Sequence, residues 1–134
     1  MMFRYQLRTR YSETGQDGII HHSCFVIYLE EARIEFLKSI GCHIGELEKR
    51  HVFCPVVDLQ VKYRKPLYVL DEVTIEVVVE SFSKVKFAFG YTLFRDKEKV
   101  ATAIGSHCFV NASFKPIPIL PGVMAVFKEA SLDR

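Results

Sequence analysis

The sequence lacks the features of several protein classes. Its four cysteines form no C-x-x-C pair and no zinc-type spacing with histidine: Cys24, Cys42, Cys54 and Cys108. We therefore expect reduced, partly buried thiols and no metal site. No run approaches the roughly 18 apolar residues that span a bilayer, and the N-terminal stretch has no apolar signal-peptide core. We expect a cytosolic protein with no membrane span.

Charge and length exclude further classes of protein. Eighteen basic and sixteen acidic residues give a formal net charge of +2, short of the strongly basic balance of nucleic-acid-binding domains. The 134 residues are 49% hydrophobic and 25% charged, as in ordinary globular proteins, and contain no repeat or low-complexity tract. We predict one domain over residues 1–134. A domain of this size is small to contain both a hydrophobic core and an enclosed substrate pocket formed by one chain alone.

In the first third of the chain, the spacing of the apolar residues changes once, from every second residue to a helical spacing. Alternation over residues 3–11 predicts a half-buried strand that includes Tyr11. A polar loop over residues 12–18 follows. Residues 23–40 then carry an apolar stripe at helical spacing. Ser23 is placed to cap this helix, and Gly41 to terminate it. A second, short helix is predicted over residues 44–50.

Residues 54–113 predict a sheet. Four segments alternate apolar and polar residues, and short polar connections at 81–84 and 95–98 join the last three as an antiparallel meander. Residues 115–118 end the sheet, and Pro121 could open a C-terminal helix through Lys128. One long amphipathic helix is the natural cover for one apolar sheet face. The predicted fold class is α+β, an antiparallel sheet wrapped around one long central helix.

The loop before the long helix is the candidate site. Backbone N–H groups at a helix start lack partners and carry partial positive charge, so they can polarise a carbonyl oxygen. Carboxylates and histidines beside them suit acyl transfer. The structural alternative is also open, because Tyr11 can be a strand residue and Glu13 can simply satisfy loop N–H groups.

The residues around this loop resemble a known family. The run from Arg10-Tyr11-Ser12-Glu13-Thr14 through Gly18 and His21-His22, then Glu30-Glu31-Ala32-Arg33, is similar to hotdog-fold acyl-CoA thioesterases. The likeness is closer to the 4-hydroxybenzoyl-CoA thioesterase type, including the thioesterase encoded with the bacterial Tol–Pal system. It continues through Val61-Lys62-Tyr63-Arg64-Lys65-Pro66 to Lys115-Pro116-Ile117-Pro118, nearly the whole chain.

The resemblance implies hydrolysis of an acyl-CoA thioester, with coenzyme A as part of the substrate and no further cofactor. In that family an aspartate acts as nucleophile or base, and a backbone N–H at the helix start holds the carbonyl. Gly15 stands where that aspartate is expected. Asp17 could supply the carboxylate instead, His22 could act as general base, or a helix carboxylate such as Glu31 could act. Alternatively, the protein binds an acyl thioester without hydrolysing it.

The resemblance also assigns supporting roles. The backbone N–H of His22 matches the oxyanion donor, and Tyr11 matches a tyrosine that lines the site. Glu30, Glu31 and Arg33 could be exposed helix charges or helix-to-loop ion pairs that orient the site. Phe25 is a candidate lining of the acyl pocket. Candidate cations for the coenzyme A phosphates include Lys62, Arg64 and Lys84.

Assembly follows from the same resemblance. A homodimer or a dimer of dimers would explain the chain's small size, because two subunits can build each pocket between them. The second function class is a non-hydrolytic hotdog protein that binds acyl-CoA or an acyl carrier domain. A hotdog dehydratase or hydratase fits least, because its histidine and carboxylate pattern is absent.

Overall fold

The computed structural model describes residues 2–132. Within that range, three helices and six strands follow one another in this order: β1 (Met2–Arg8), α1 (His22–Ser39), α2 (Ile44–Lys49), β2 (Val56–Tyr63), β3 (Glu72–Phe82), β4 (Lys86–Arg95), β5 (Glu98–Val110), β6 (Pro116–Ile117) and α3 (Pro121–Leu132). A short 3-10 turn, Tyr11–Glu13, lies between β1 and α1.

The sheet is antiparallel throughout. Its strand order is β1-β3-β4-β5-β2, and β6 pairs with the end of β5. Helix α1 packs against β1 and β3, and its buried stripe includes Phe25, Tyr28, Ala32 and Phe36. The predicted α+β architecture, a sheet around one long helix, is therefore confirmed.

The start of the long helix differs from the prediction in one respect. His21, not Ser23, is the N-cap, because its Nδ1 accepts a hydrogen bond from the Ser23 backbone N–H at 3.3 Å. At the other end Gly41 has a φ of 87°, the left-handed conformation that glycine adopts at low cost after a helix, so the predicted stop is confirmed.

The first strand is shorter than predicted. It ends at Arg8 because buried Thr9 ties the chain to the loop before β3: its Oγ1 donates to the Tyr68 carbonyl at 2.6 Å and accepts from the Asp71 N–H at 2.9 Å. Tyr11 therefore lies in the 3-10 turn with its side chain 81% exposed. Its prediction as a sheet-face residue is wrong.

The C-terminal segment also departs from expectation. Residues 115–118 do not end the sheet, because Pro116–Ile117 pairs with β5 as a sixth strand. An edge strand tolerates proline, which has no N–H to donate. The helix that Pro121 opens extends past Lys128 to Leu132 and buries Val123, Phe127 and Ala130 against the core.

Candidate active site

A tight turn precedes α1. Thr14 and Ile20 pair as an isolated antiparallel bridge, and the Gly15 N–H donates to the Ile19 carbonyl at 2.8 Å. Gly18 has a φ of 71°, which a side chain would make unfavourable. Gly15 thus sits at the base of the turn, and Asp17 is exposed at its tip.

The start of α1 presents one free donor. The His21 N–H donates to the Glu13 carbonyl at 2.9 Å, and the Ser23 N–H is capped by His21. Within residues 2–132 the His22 N–H has no hydrogen-bond partner. An unpaired N–H at a helix start carries partial positive charge and can bind a carbonyl oxygen that develops negative charge.

The Glu13 carboxylate is already hydrogen-bonded within the chain. Its Oε1 accepts from the Arg10 N–H at 2.8 Å and from the Tyr28 hydroxyl at 2.7 Å. Burial, followed by this hydrogen bond, raises the pKa of Tyr28 well above its ordinary value. The structural alternative for Glu13 therefore fits: it satisfies loop and helix donors and holds the 3-10 turn against α1.

Glu31 is also engaged. The Tyr5 hydroxyl on β1 donates to its Oε2 at 3.0 Å, and an Arg10 guanidinium nitrogen lies 4.0 Å from its Oε1. Burial and this hydrogen bond raise the pKa of Tyr5. Glu31 thus links helix, strand and loop, as a helix-to-loop ion pair would.

Tyr63, at the end of β2, completes the wall of the site. Its hydroxyl donates to the His22 carbonyl at 3.1 Å, and its ring packs edge-on against the rings of His22 and Phe25. Sequence reasoning missed both this residue and the capping role of His21. The alternation of β2 placed Tyr63 on an apolar face, but nothing local linked it to a helix start 41 residues earlier.

The other predicted site residues are placed as follows. The His22 ring is exposed and stacks on His21 with 4.4 Å between centroids. Phe25 is buried between Tyr28 and Tyr63. Tyr11 contributes its carbonyl, which accepts from Thr14, while its ring faces solvent.

The candidate cations are spread over the sheet. Lys62 on β2 lies opposite Thr102 on β5, next to Tyr63, whose hydroxyl contacts His22. Exposed Arg64 directly follows β2 at the same end of the strand. Lys84 lies in the β3–β4 turn, beyond the Lys86–Cys108 pair and so about 20 Å further along β5. Of these three candidates, Lys62 and Arg64 lie at the end of the sheet that is near the helix start, and Lys84 does not.

Arg33 is not the exposed charge that was predicted. It is 6% exposed and faces the sheet from the middle of α1. Its described hydrogen bond is a weak one, from Nη1 to Cys54 Sγ at 3.9 Å. The reason is its place on the buried stripe of α1, one turn after Leu29 and next to Ala32.

The family described as the Thioesterase-like superfamily matches residues 13–127. "Putative acyl-CoA thioesterase YneP" of Bacillus subtilis (strain 168) is 32% identical over 114 residues, 84% of this chain and 83% of that protein.

Two solved structures have a similar fold. A hypothetical protein from Aquifex aeolicus is 33% identical with a TM-score of 0.88, over 93% of this chain and 98% of that one. A DHNA-CoA thioesterase from Staphylococcus aureus has a TM-score of 0.92 at 24% identity, over 98% of this chain and 91% of that one. The second likeness carries the fold alone.

Proposed function

Because this chain belongs to the Thioesterase-like superfamily and has its hotdog fold, we propose that it hydrolyses acyl-CoA thioesters to the free acid and coenzyme A. The observation that carries the proposal is the unpaired His22 N–H at the start of α1. A relative that is 32% identical is named "Putative acyl-CoA thioesterase YneP", which supports the same reaction class.

The chemistry follows from the groups around that N–H. The thioester carbonyl accepts from the His22 N–H, water attacks the carbonyl carbon, and Asp17 takes the water's proton. The tetrahedral intermediate then collapses, the carbon–sulfur bond breaks, and the coenzyme A thiolate leaves and is protonated. The carboxylates of Glu13 and Glu31 are bonded elsewhere, whereas Asp17 has no partner within residues 2–132.

Purified protein should hydrolyse short-chain or aromatic acyl-CoA esters, the acyl classes that we propose, and release free thiol in a thiol-capture assay. Background hydrolysis without protein is the control. Absence of turnover across a panel of acyl-CoA esters, with the same esters binding in calorimetry, would instead favour the second candidate, a non-hydrolytic acyl-CoA or acyl-carrier binder. Gly15 favours that candidate, because it puts no carboxylate at the base of the turn.

Substrate binding needs a cationic surface for the coenzyme A phosphates. We propose Lys62 and Arg64 for this role, because both lie at the end of β2 that carries Tyr63 against His22. Lys84 could act only from another direction, or from a second subunit, because it lies at the opposite end of the sheet.

A homodimer is the proposed assembly. β2 is an outer strand of the sheet, and Val56 and Val57 on it are 51% and 50% exposed. Exposed Val26 and Ile27 lie on α1. An unpaired strand edge with apolar neighbours is a surface that a second copy can extend. We also propose a cytosolic location; no helix within residues 2–132 is long and apolar enough to cross a membrane.

Light scattering coupled to size exclusion should give a dimer or larger assembly at micromolar concentration. Val57→Lys should shift the mass toward the monomer, because a charge at a strand edge opposes pairing. Lys97→Ala, in the exposed β4–β5 turn, is the control that should leave the mass unchanged. A wild-type chain that stays monomeric would contradict the shared-pocket arrangement.

A further inference from the structure

A buried polar cluster lies beneath the middle of α1, away from His22. His107 on β5 is 2% exposed, and both of its ring nitrogens lack a hydrogen-bond partner within residues 2–132. The Pro55 carbonyl is close enough to influence the ring without meeting hydrogen-bond geometry. Unpaired buried polar groups are rare and costly, so this one calls for a partner that the chain does not supply.

Arg33 brings an unneutralised charge to the same cluster. No carboxylate oxygen lies within 4.0 Å of its guanidinium within residues 2–132. The Cys54 thiol beside it stays neutral, because burial raises its pKa to about 12. Tyr91 also stays neutral, since burial raises its pKa. A buried cation with no carboxylate at ion-pair distance is unfavourable unless something compensates it.

Both groups line one cavity. A space of about 30 Å³ opens between α1 and β2, and its walls are Val26, Leu29, Glu30, Arg33, Val56, Leu59, Tyr91 and His107. Gly105 keeps part of this space open, because a Cβ there would lie 3.3 Å from Leu59 Cδ1 and 3.4 Å from His107 Nε2. This volume admits a few atoms, such as the end of a larger ligand.

Three of the α1 residues that line this cavity lie on the helix face that begins at His22. Val26, Leu29 and Arg33 stand four, seven and eleven residues after His22, which places all of them on one side of α1. Arg33 is about 16 Å along the axis from His22, and helical side chains lean back toward the N-terminus. Along this side of α1, the apolar side chains of Val26 and Leu29 therefore lie between His22 and the Arg33 cation.

We propose that Arg33 and His107 bind a carboxylate at the distal end of the acyl group, so that the preferred substrates are acyl-CoA esters of dicarboxylic acids. This inference rests on the proposed function. The guanidinium donates to the carboxylate and neutral His107 adds a second hydrogen bond. Val26 and Leu29 contact the methylene chain. Arg33 and His107 act as specificity-determining residues and take no part in breaking the thioester.

Matched pairs of esters test the inference. Suberyl-CoA and octanoyl-CoA have the same chain length and differ in the terminal carboxylate. The wild type should prefer suberyl-CoA by about tenfold to a hundredfold in kcat/KM, the range that a hydrogen bond to a charged group provides. Arg33→Met, which keeps the length and removes the charge, should abolish the preference by lowering kcat/KM for suberyl-CoA. Arg50→Met, at an exposed position after α2, is the matched control and should keep the preference.

A second variant and a binding assay keep the test decisive. If Arg33→Met does not fold, His107→Leu should still reduce the preference, because it removes one hydrogen bond from an apolar setting. If no ester is hydrolysed, non-hydrolysable thioether analogues of the two esters should show the same preference in Kd, which separates this inference from the proposed reaction. Equal wild-type affinities for both analogues would overturn it. A wild-type enzyme that prefers 4-hydroxybenzoyl-CoA to benzoyl-CoA but does not prefer suberyl-CoA to octanoyl-CoA would also overturn it.

Discussion

Asp17→Asn is expected to lower kcat for acyl-CoA hydrolysis by about 10²–10⁴-fold, the usual contribution of a positioned general base. Three carboxylates are candidates for the base: Glu13, Asp17 and Glu31. Glu13 is bonded to Tyr28 and Arg10, and Glu31 to Tyr5. Asp17 has no partner within residues 2–132, and asparagine keeps its size without accepting a proton. Steady-state kinetics with a thiol-capture readout measures the effect.

Two controls accompany this variant. Asp96→Asn makes the same change at another exposed turn, and asparagine tolerates the local φ of 55°; its kcat should match the wild type. The thermal midpoint of Asp17→Asn should also be unchanged, because Asp17 is exposed. Retained activity in Asp17→Asn would move the base role to His22 or Glu31, and the variants His22→Gln and Glu31→Gln would then tell these two apart.

A rescue variant tests where the carboxylate must sit. Gly15→Asp places an aspartate at the base of the turn, where the resemblance expects one. An added Cβ would contact only the Ile19 carbonyl oxygen, at an ordinary 3.7 Å. Because Asp17 already supplies a base in the wild type, we expect Gly15→Asp to restore turnover to the Asp17→Asn chain and to change it little in the wild-type background. A large gain in the wild-type background would show that the native loop is impaired at that position and would contradict a base role for Asp17.

His107 should make the protein sensitive to acid. Burial, and then the charge of Arg33, lower the pKa of His107 from 6.5 to about 4. Between these pH values the unfolded chain binds a proton that the native state does not, so the free energy of unfolding rises with pH. This contribution is fully present above pH 6.5 and is lost as the pH falls to about 4. Its size is about 3 kcal/mol.

His107→Leu should remove that part of the pH dependence. Urea unfolding at pH 7 and near pH 4.5 measures it, with His43→Leu, at an exposed position before α2, as the matched control. Carboxylates elsewhere titrate in all of these chains, so the difference between the His107 variant and the wild type isolates one group. A wild-type pH profile that matches the His107→Leu profile would contradict a neutral, buried His107.

The fold could be predicted from the sequence because the signals for it are local. Alternation set β1 and the meander of β3, β4 and β5, and helical spacing set α1, with Gly41 at its end. The errors fell at boundaries. Thr9 ends β1 through hydrogen bonds to Tyr68 and Asp71, 59 and 62 residues later in the chain. Strand β6 forms because Pro116–Ile117 pairs with the end of β5. Neither contact leaves a trace in nearby residues.

The candidate site was predictable in part. The loop and the His22 N–H followed from the position of a helix start and from the family resemblance. The hydrogen bonds of the Glu13 and Glu31 carboxylates could not be predicted, because their partners Tyr28 and Tyr5 come from other elements. Arg33 misled for a related reason: a charged residue in a helix is expected to face solvent, and only packing against Cys54 shows that it does not.

The sequence by itself determined the α+β class, the long helix, the loop before it and the absence of an aspartate at Gly15, because each depends on residue type and short-range spacing. The tertiary structure decided which carboxylate is free, that Tyr63 closes the wall beside His22, and that Arg33 and His107 share a buried cavity. Those facts depend on residues that are separated in the chain, by 15 positions for Glu13 and Tyr28, 41 for Tyr63 and His22 and 74 for Arg33 and His107. Only the packing of α1 on the sheet brings them together.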